Sequence, residues 1–287
     1  MNDSQSDHLV IATGATDRIR IYAIRSTLVV ERARELHNTW PTATAALGRV
    51  LSGALMMGVM SDSVNRLTVQ FQGNGPLGLV MAVSNQRGAV KGYIENPEVD
   101  LDLNGLGKLD VGRAIGSGTV TVIKDHALKN PYNGIVPIQN GEIGHDLAYY
   151  FTKSEQTPSA VGLGVLVAPD GRVQVAGGFI IQPLPGCPNE VVSELEEIVG
   201  GLPPVTTLLD SGVVPQELAR YFGFDSFKVL ETLPVRYHCD CSKERLRGPL
   251  LSLGGPELDS IIQEQGQIEV RCQFCDKVYH FVNSELD

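Results

Sequence analysis

The hydrophobic pattern changes its period several times along the chain, and each change marks an element. Apolar-rich runs at 9–13 and 18–24 predict two opening strands, and helical spacing follows at 27–37 and 42–60. A strand-rich block comes next, at 67–72, 77–84, 90–94 and 119–123. A helix at 143–154 precedes two further strands, 160–168 and 173–181, which flank the turn signal Pro169-Asp170-Gly171. Strands returning on both sides of the helices predict one α+β domain over residues 1–182. The stretch 42–60 is rich in Ala and Gly with Arg49 inside it, which predicts a core helix lying close against a sheet.

From 183 to 234 the pattern breaks into short helical pieces punctuated by Pro and Gly. Asn189 is the expected cap of a helix whose apolar face is Val191, Val192, Leu195, Ile198 and Val199, ended by Gly200 and Gly201. Pro203-Pro204 precedes a short apolar segment to Leu209, and Pro215 opens another helix that stops at Gly223. Isolated helices of this length are marginal in water, so the segment predicts a metastable helical linker stable only while packed. Residues 235–287 predict a small third domain. It has helical patterns at 243–253 and 257–265, then a ribbon at 268–271 returning through 277–282.

That last domain holds four of the five cysteines. Cys239 and Cys241 are separated by one residue, Cys272 and Cys275 by two, and 30 residues (242–271) lie between the pairs. Two close pairs let each bite a metal ion from one short turn while the intervening chain brings them together. Four thiolates without a hard ligand favour zinc over calcium or magnesium. Scattered core cysteines do not cluster this way, and a structural disulfide framework belongs to an oxidising compartment. The opening MNDSQSDHLV is polar and carries no apolar secretory segment, so the expected compartment is the cytosol. A domain of roughly fifty residues is near the size at which a hydrophobic core alone is insufficient, so its folding is expected to depend on its metal. The same thiolates are oxidisable, and a disulfide across one residue is a strained and labile ring.

Net charge is −10, which argues against a nucleic-acid binder, because phosphate contact needs a basic face. Lys243, Arg245, Arg247, Arg271 and Lys277 are interspersed with Glu244, Glu257 and Asp276, a mixed solvated surface. The most apolar stretch, 50–60, is too short to cross a bilayer. Gly73-Asn74-Gly75-Pro76-Leu77-Gly78 matches a dinucleotide fingerprint in letters, but strand rather than helix follows, so a β-turn is expected. Cys187, in Leu184-Pro185-Gly186-Cys187-Pro188, lacks the cationic sequence neighbours of a reactive thiol and is expected in a turn or the core. His238 is an alternative ligand beside Cys239, His280 is expected exposed or behind the ligands, and His145-Asp146 caps or packs a helix start. No G-x-S-x-G, Walker A or H-E-x-x-H motif occurs, so no enzyme is expected.

A C-x-C pair, a gap of thirty residues and a terminal C-x-x-C pair resemble the heat-shock protein 33 family. Gly177-Gly178-Phe179-Ile180-Ile181-Gln182 and Leu184-Pro185-Gly186-Cys187-Pro188 are also similar to that family. The resemblance covers the whole chain and implies a redox-regulated bacterial holdase chaperone. It implies a reduced, inactive form holding one zinc ion through Cys239, Cys241, Cys272 and Cys275. Oxidation would pair Cys239 with Cys241 and Cys272 with Cys275, release zinc, unfold the terminal domain and the linker, and give a homodimer that binds unfolding clients without ATP. Two other readings stay beside it: a zinc-ribbon nucleic-acid regulator, and a thiol-disulfide oxidoreductase working through Cys272-Gln273-Phe274-Cys275.

Overall fold

The computed structural model describes residues 6–61, 63–126 and 131–286. The polar opening 1–5 lies outside the described residues. The chain divides into two compact units, Met1–Tyr237 and His238–Asp287. Residues 183–234, read from sequence as a separate linker, fall within the first unit, and the division comes after Tyr237 rather than at 234/235.

The first unit runs β1 (His8–Gly14), β2 (Ile19–Arg25), α1 (Thr27–His37), α2 (Pro41–Gly58), β3 (Arg66–Gly73), β4 (Leu79–Ser84) and β5 (Ala89–Ile94). It continues through α3 (Val111–Ile115), β6 (Gly118–Asp125), β7 (Tyr132–Pro137), α4 (Ile143–Ser154), β8 (Ala160–Val167) and β9 (Val173–Pro183). Then come α5 (Asn189–Gly201), α6 (Val205–Asp210), α7 (Pro215–Arg220), β10 (Lys228–Pro234) and β11 (Arg236–Tyr237). One sheet has the order β10-β1-β2-β9-β8 and is antiparallel throughout; the other is β11-β5-β4-β3-β6-β7, antiparallel except for the β11–β5 pair.

Helix α2 packs against both sheets. It is buried along its length except at Pro41 and Arg49, and it packs on β3, β4 and β5 of one sheet and β8 and β9 of the other. Small side chains permit this: a Cβ on Gly48 would stand 2.6 Å from a Val30 methyl and 2.8 Å from a Val165 methyl. Arg49 leaves the core to pair with Glu142 at 2.5 Å.

The strand β1 reads as an unbroken apolar run because both of its faces are covered. Leu9 and Ile11 face the core built on α2, whereas Val10 and Ala12 face a second core. That second core joins Ile19, Ile21, Phe179 and Ile181 of the sheet to Leu195, Leu208, Leu209, Leu218 and Phe222 of the 183–223 segment. The short helices α5, α6 and α7 are thus one layer laid on a sheet face, and each depends on that face for its burial. Pro188 rather than Asn189 is the residue before α5, because its extended backbone (φ −63°, ψ 145°) starts the helix and leaves Asn189 inside it. The β8–β9 hairpin turns at Gly171, whose φ of +84° suits a residue without a Cβ, and Ala168 N–H donates to the Arg172 carbonyl at 2.8 Å. The glycine-rich segment after β3 leads directly into strand β4 as the register requires, with no helix behind it.

The second unit contains α8 (Lys243–Leu251), α9 (Gly255–Gln265), β12 (Ile268–Arg271) and β13 (Val278–Phe281), the two strands forming an antiparallel ribbon. Among the described residues its buried core is small: Leu250, Leu258, Ile268, Tyr279, Phe281 and Leu286.

Candidate metal centre

The two cysteine pairs are delivered by different local structures. Cys239 and Cys241 lie in the irregular segment before α8, where Ser242 caps the helix by accepting a hydrogen bond from Arg245 N–H at 3.3 Å. Arg245 also pairs with Asp240, the residue between the two cysteines. Cys272 and Cys275 sit in the tight turn joining β12 to β13. There Cys272 N–H donates to the Lys277 carbonyl and Asp276 N–H to the Cys272 carbonyl, both at 2.9 Å. Asp276 takes a left-handed backbone (φ 60°) to close the turn, and its carboxylate receives Arg271 at 2.9 Å.

The four sulfurs converge. Cys239 Sγ is 3.7 Å from Cys272 Sγ, Cys241 Sγ is 3.3 Å from Cys275 Sγ, and all four lie within 4.8 Å of one another. A tetrahedral ion with metal–sulfur bonds of about 2.3 Å needs sulfurs ~3.8 Å apart, so the donor set fits such an ion. Cys272 is buried and the others are half-buried. Among the described residues this is the group assembled for a metal, and His238, the alternative ligand by sequence, is exposed and outside it. His280 is exposed on β13.

Crowded thiols cannot all ionise without a cation beside them. Burial, with hydrogen bonds from the neighbouring sulfurs, pushes the Cys239 thiol far up, and burial holds Cys275 up at about 11. Cys241 is the exception. Burial raises it too, but hydrogen bonds from Tyr279 and the other cysteines outweigh burial and bring it down to about 7. The Tyr279 hydroxyl stands 3.2 Å from Cys241 Sγ and donates to the Cys241 carbonyl at 2.9 Å. The sequence reading missed Tyr279. Its signal was the alternation along β13, which puts Tyr279 and Phe281 on the core face and His280 on the other.

The remaining candidates stand apart from the site. Cys187 lies in the first unit, in a turn where its N–H donates to the Leu184 carbonyl at 2.9 Å. Arg18 approaches it across the fold, yet burial still raises its thiol. Asp146 is fully buried at the start of α4 and accepts from Gln139 N–H at 2.7 Å, while its neighbour His145 is exposed. Three of the terminal basic residues are occupied by acidic partners: Lys243 by Glu285, Arg245 by Asp240 and Arg271 by Asp276. Among the described residues no helix is long and apolar enough to cross a membrane.

Comparison with known proteins finds relatives over nearly the whole chain. The family described as Hsp33 protein matches residues 7–282. A 33 kDa chaperonin of a Geobacillus species is 45% identical over 98% of this chain and 96% of its own length. The 33 kDa chaperonin of Bacillus subtilis is 44% identical over 98% and 97%. The crystal structure of the 33 kDa chaperonin from Thermotoga maritima superposes with a TM-score of 0.90 at 37% identity, covering 98% of this chain and 97% of that one.

Proposed function

The chain belongs to the Hsp33 family, and from that premise we propose that it is a chaperone of the holdase type, working without ATP and switched by oxidation. The observation that carries the reading is the meeting of four cysteine sulfurs within 4.8 Å in a unit whose own buried core cluster is small among the described residues. Zinc is the ion that four thiolates at this spacing favour, held by Cys239, Cys241, Cys272 and Cys275. When bound it would supply folding free energy rather than chemistry, ~10–16 kcal/mol in comparable small sites.

Each molecule of peroxide takes two electrons from a pair of thiolates. One S–S bond forms, the O–O bond breaks, and the oxygens leave as hydroxide. Two such events consume all four ligands, and the ion is released. Family resemblance implies the neighbour pairing, Cys239 with Cys241 and Cys272 with Cys275. A unit that has lost its metal and keeps so small a core unfolds.

The layer of α5, α6 and α7 is the transducer in this reading, a metastable segment within 183–234. Its helices are each too short to persist once unpacked. Its departure uncovers Val10, Ala12, Ile21, Phe179 and Ile181 on one sheet face, along with its own Leu195, Leu208 and Leu218. Such a surface binds the apolar segments of unfolding client proteins. Homodimerisation of the oxidised form and residence in the cytoplasm complete the proposal.

The test is the double variant Cys272→Ser/Cys275→Ser. It should bind no stoichiometric zinc and lose oxidant control of client binding. A variant still silent when reduced and active when oxidised would overturn the assignment.

A further inference from the structure

Tyr279 contributes to the centre without being one of its ligands. It lies on β13 with only 8% of its surface exposed, and the Lys277 ammonium covers its ring at 5.1 Å from the centroid. Its hydroxyl donates to the Cys241 carbonyl at 2.9 Å and stands 3.2 Å from the Cys241 sulfur. The contact joins residues 38 positions apart. It ties the short Cys239–Cys241 loop to the ribbon that carries the other pair. A cysteine bound to metal is a thiolate with no hydrogen of its own, so its sulfur only accepts, and the single phenol O–H is shared between the Cys241 carbonyl at 2.9 Å and the Cys241 sulfur at 3.2 Å. A hydrogen bond to a ligand atom from outside the coordination sphere orients that ligand and engages its lone pairs, and losing one costs metal sites roughly 10–100-fold.

Resting on the zinc reading above, we infer that Tyr279 is a positioning residue that shields one ligand selectively. Its hydroxyl pins Cys241 and lowers the reactivity of that sulfur relative to the other three, and so helps set how readily the first pair is attacked.

Tyr279→Phe keeps the ring and its packing and removes only the O–H. The experiment treats full-length, reduced, zinc-loaded protein with iodoacetamide and follows alkylation at each cysteine by peptide mass spectrometry, with zinc content measured on the same samples. Phe281→Leu serves as the packing control, since Phe281 is 1% exposed in the same small core but offers no hydrogen bond. Tyr279→Phe should speed alkylation of Cys241 on the order of 10-fold over Cys239, Cys272 and Cys275. Phe281→Leu should leave the order among the four unchanged. Uniform acceleration in Tyr279→Phe, or none, would overturn the role of Tyr279 while leaving the zinc reading intact. Wild-type protein without stoichiometric zinc would overturn that reading and the inference with it.

Discussion

The sulfurs of Cys241 and Cys275 stand 3.3 Å apart although the residues are 34 positions apart in the chain. Thiols this close share hydrogen bonds, thiolates this close need a cation among them, and oxidation joins them by a bond; the predictions below separate these states.

Metal removal should unfold the second unit and spare the first. The cluster around Leu250, Leu258, Tyr279 and Phe281 is small, whereas the first unit has two extensive cores. Treating reduced protein with a strong chelator should abolish amide protection from 238 onward, with protection in α2 and β1 retained. Hydrogen exchange read by mass spectrometry checks this. Unchanged protection in the β12–β13 ribbon would show that the unit folds without metal.

Oxidation products can be mapped directly. Sulfur contacts run between the pairs, Cys239 to Cys272 at 3.7 Å and Cys241 to Cys275 at 3.3 Å. Family resemblance nevertheless implies bonds within the pairs, and a ring spanning one residue is strained. Proteolysis of peroxide-treated protein should give linkages Cys239–Cys241 and Cys272–Cys275. Cross-pair linkages would mean that the folded geometry, rather than an unfolding unit, decides the products.

The helical layer has an aromatic anchor. Phe222 is fully buried, with its ring 4.7 Å from that of Phe179 on the sheet. Phe222→Ala should destabilise this packing by ~3–5 kcal/mol. Reduced protein should then bind a hydrophobic dye that wild type binds only after oxidation. Dye binding unchanged from wild type would remove the layer from the switch.

Much of this was legible in the sequence, and the failures have physical reasons. The cysteine spacing marked the four sulfurs that converge, because each pair is set by one short local turn. The apolar run of β1 and the Ala/Gly texture of α2 announced burial. Strand β10 was not foreseen: its residues are almost all exposed, so no alternation marks them, and its pairing partner β1 lies more than 200 residues earlier in the chain, Leu233 opposite Leu9. Strand β7 and helix α3 were too short or too mixed to signal. The sequence reading of 183–234 as helices stable only while packed did not say which surface receives them, because the apolar faces that they meet lie on distant strands of the first unit. Tyr279 escaped because its function depends on a contact across the unit.

Asp7 predicts a pH dependence. Burial raises its carboxyl to about 7 from 3.8, against the opposing hydrogen bond that it accepts from Val29 N–H at 2.8 Å at the start of α1. Below about pH 4 both folded and unfolded chains hold this proton. Between about 4 and 7 only the folded chain does, so stability falls as pH rises through that window, by up to ~4 kcal/mol. Asp7→Asn keeps an acceptor for Val29 and should flatten that part of the profile. Thermal unfolding from pH 4 to 8 checks it, and parallel curves for the two proteins would contradict it.

The most direct test of the switch is light scattering from a thermally aggregating client, with reduced zinc-loaded protein and peroxide-treated protein side by side and no nucleotide present. Suppression of aggregation by the oxidised sample alone is the predicted result. Equal behaviour of the two samples would contradict the account, leaving a four-cysteine site that does not control client binding.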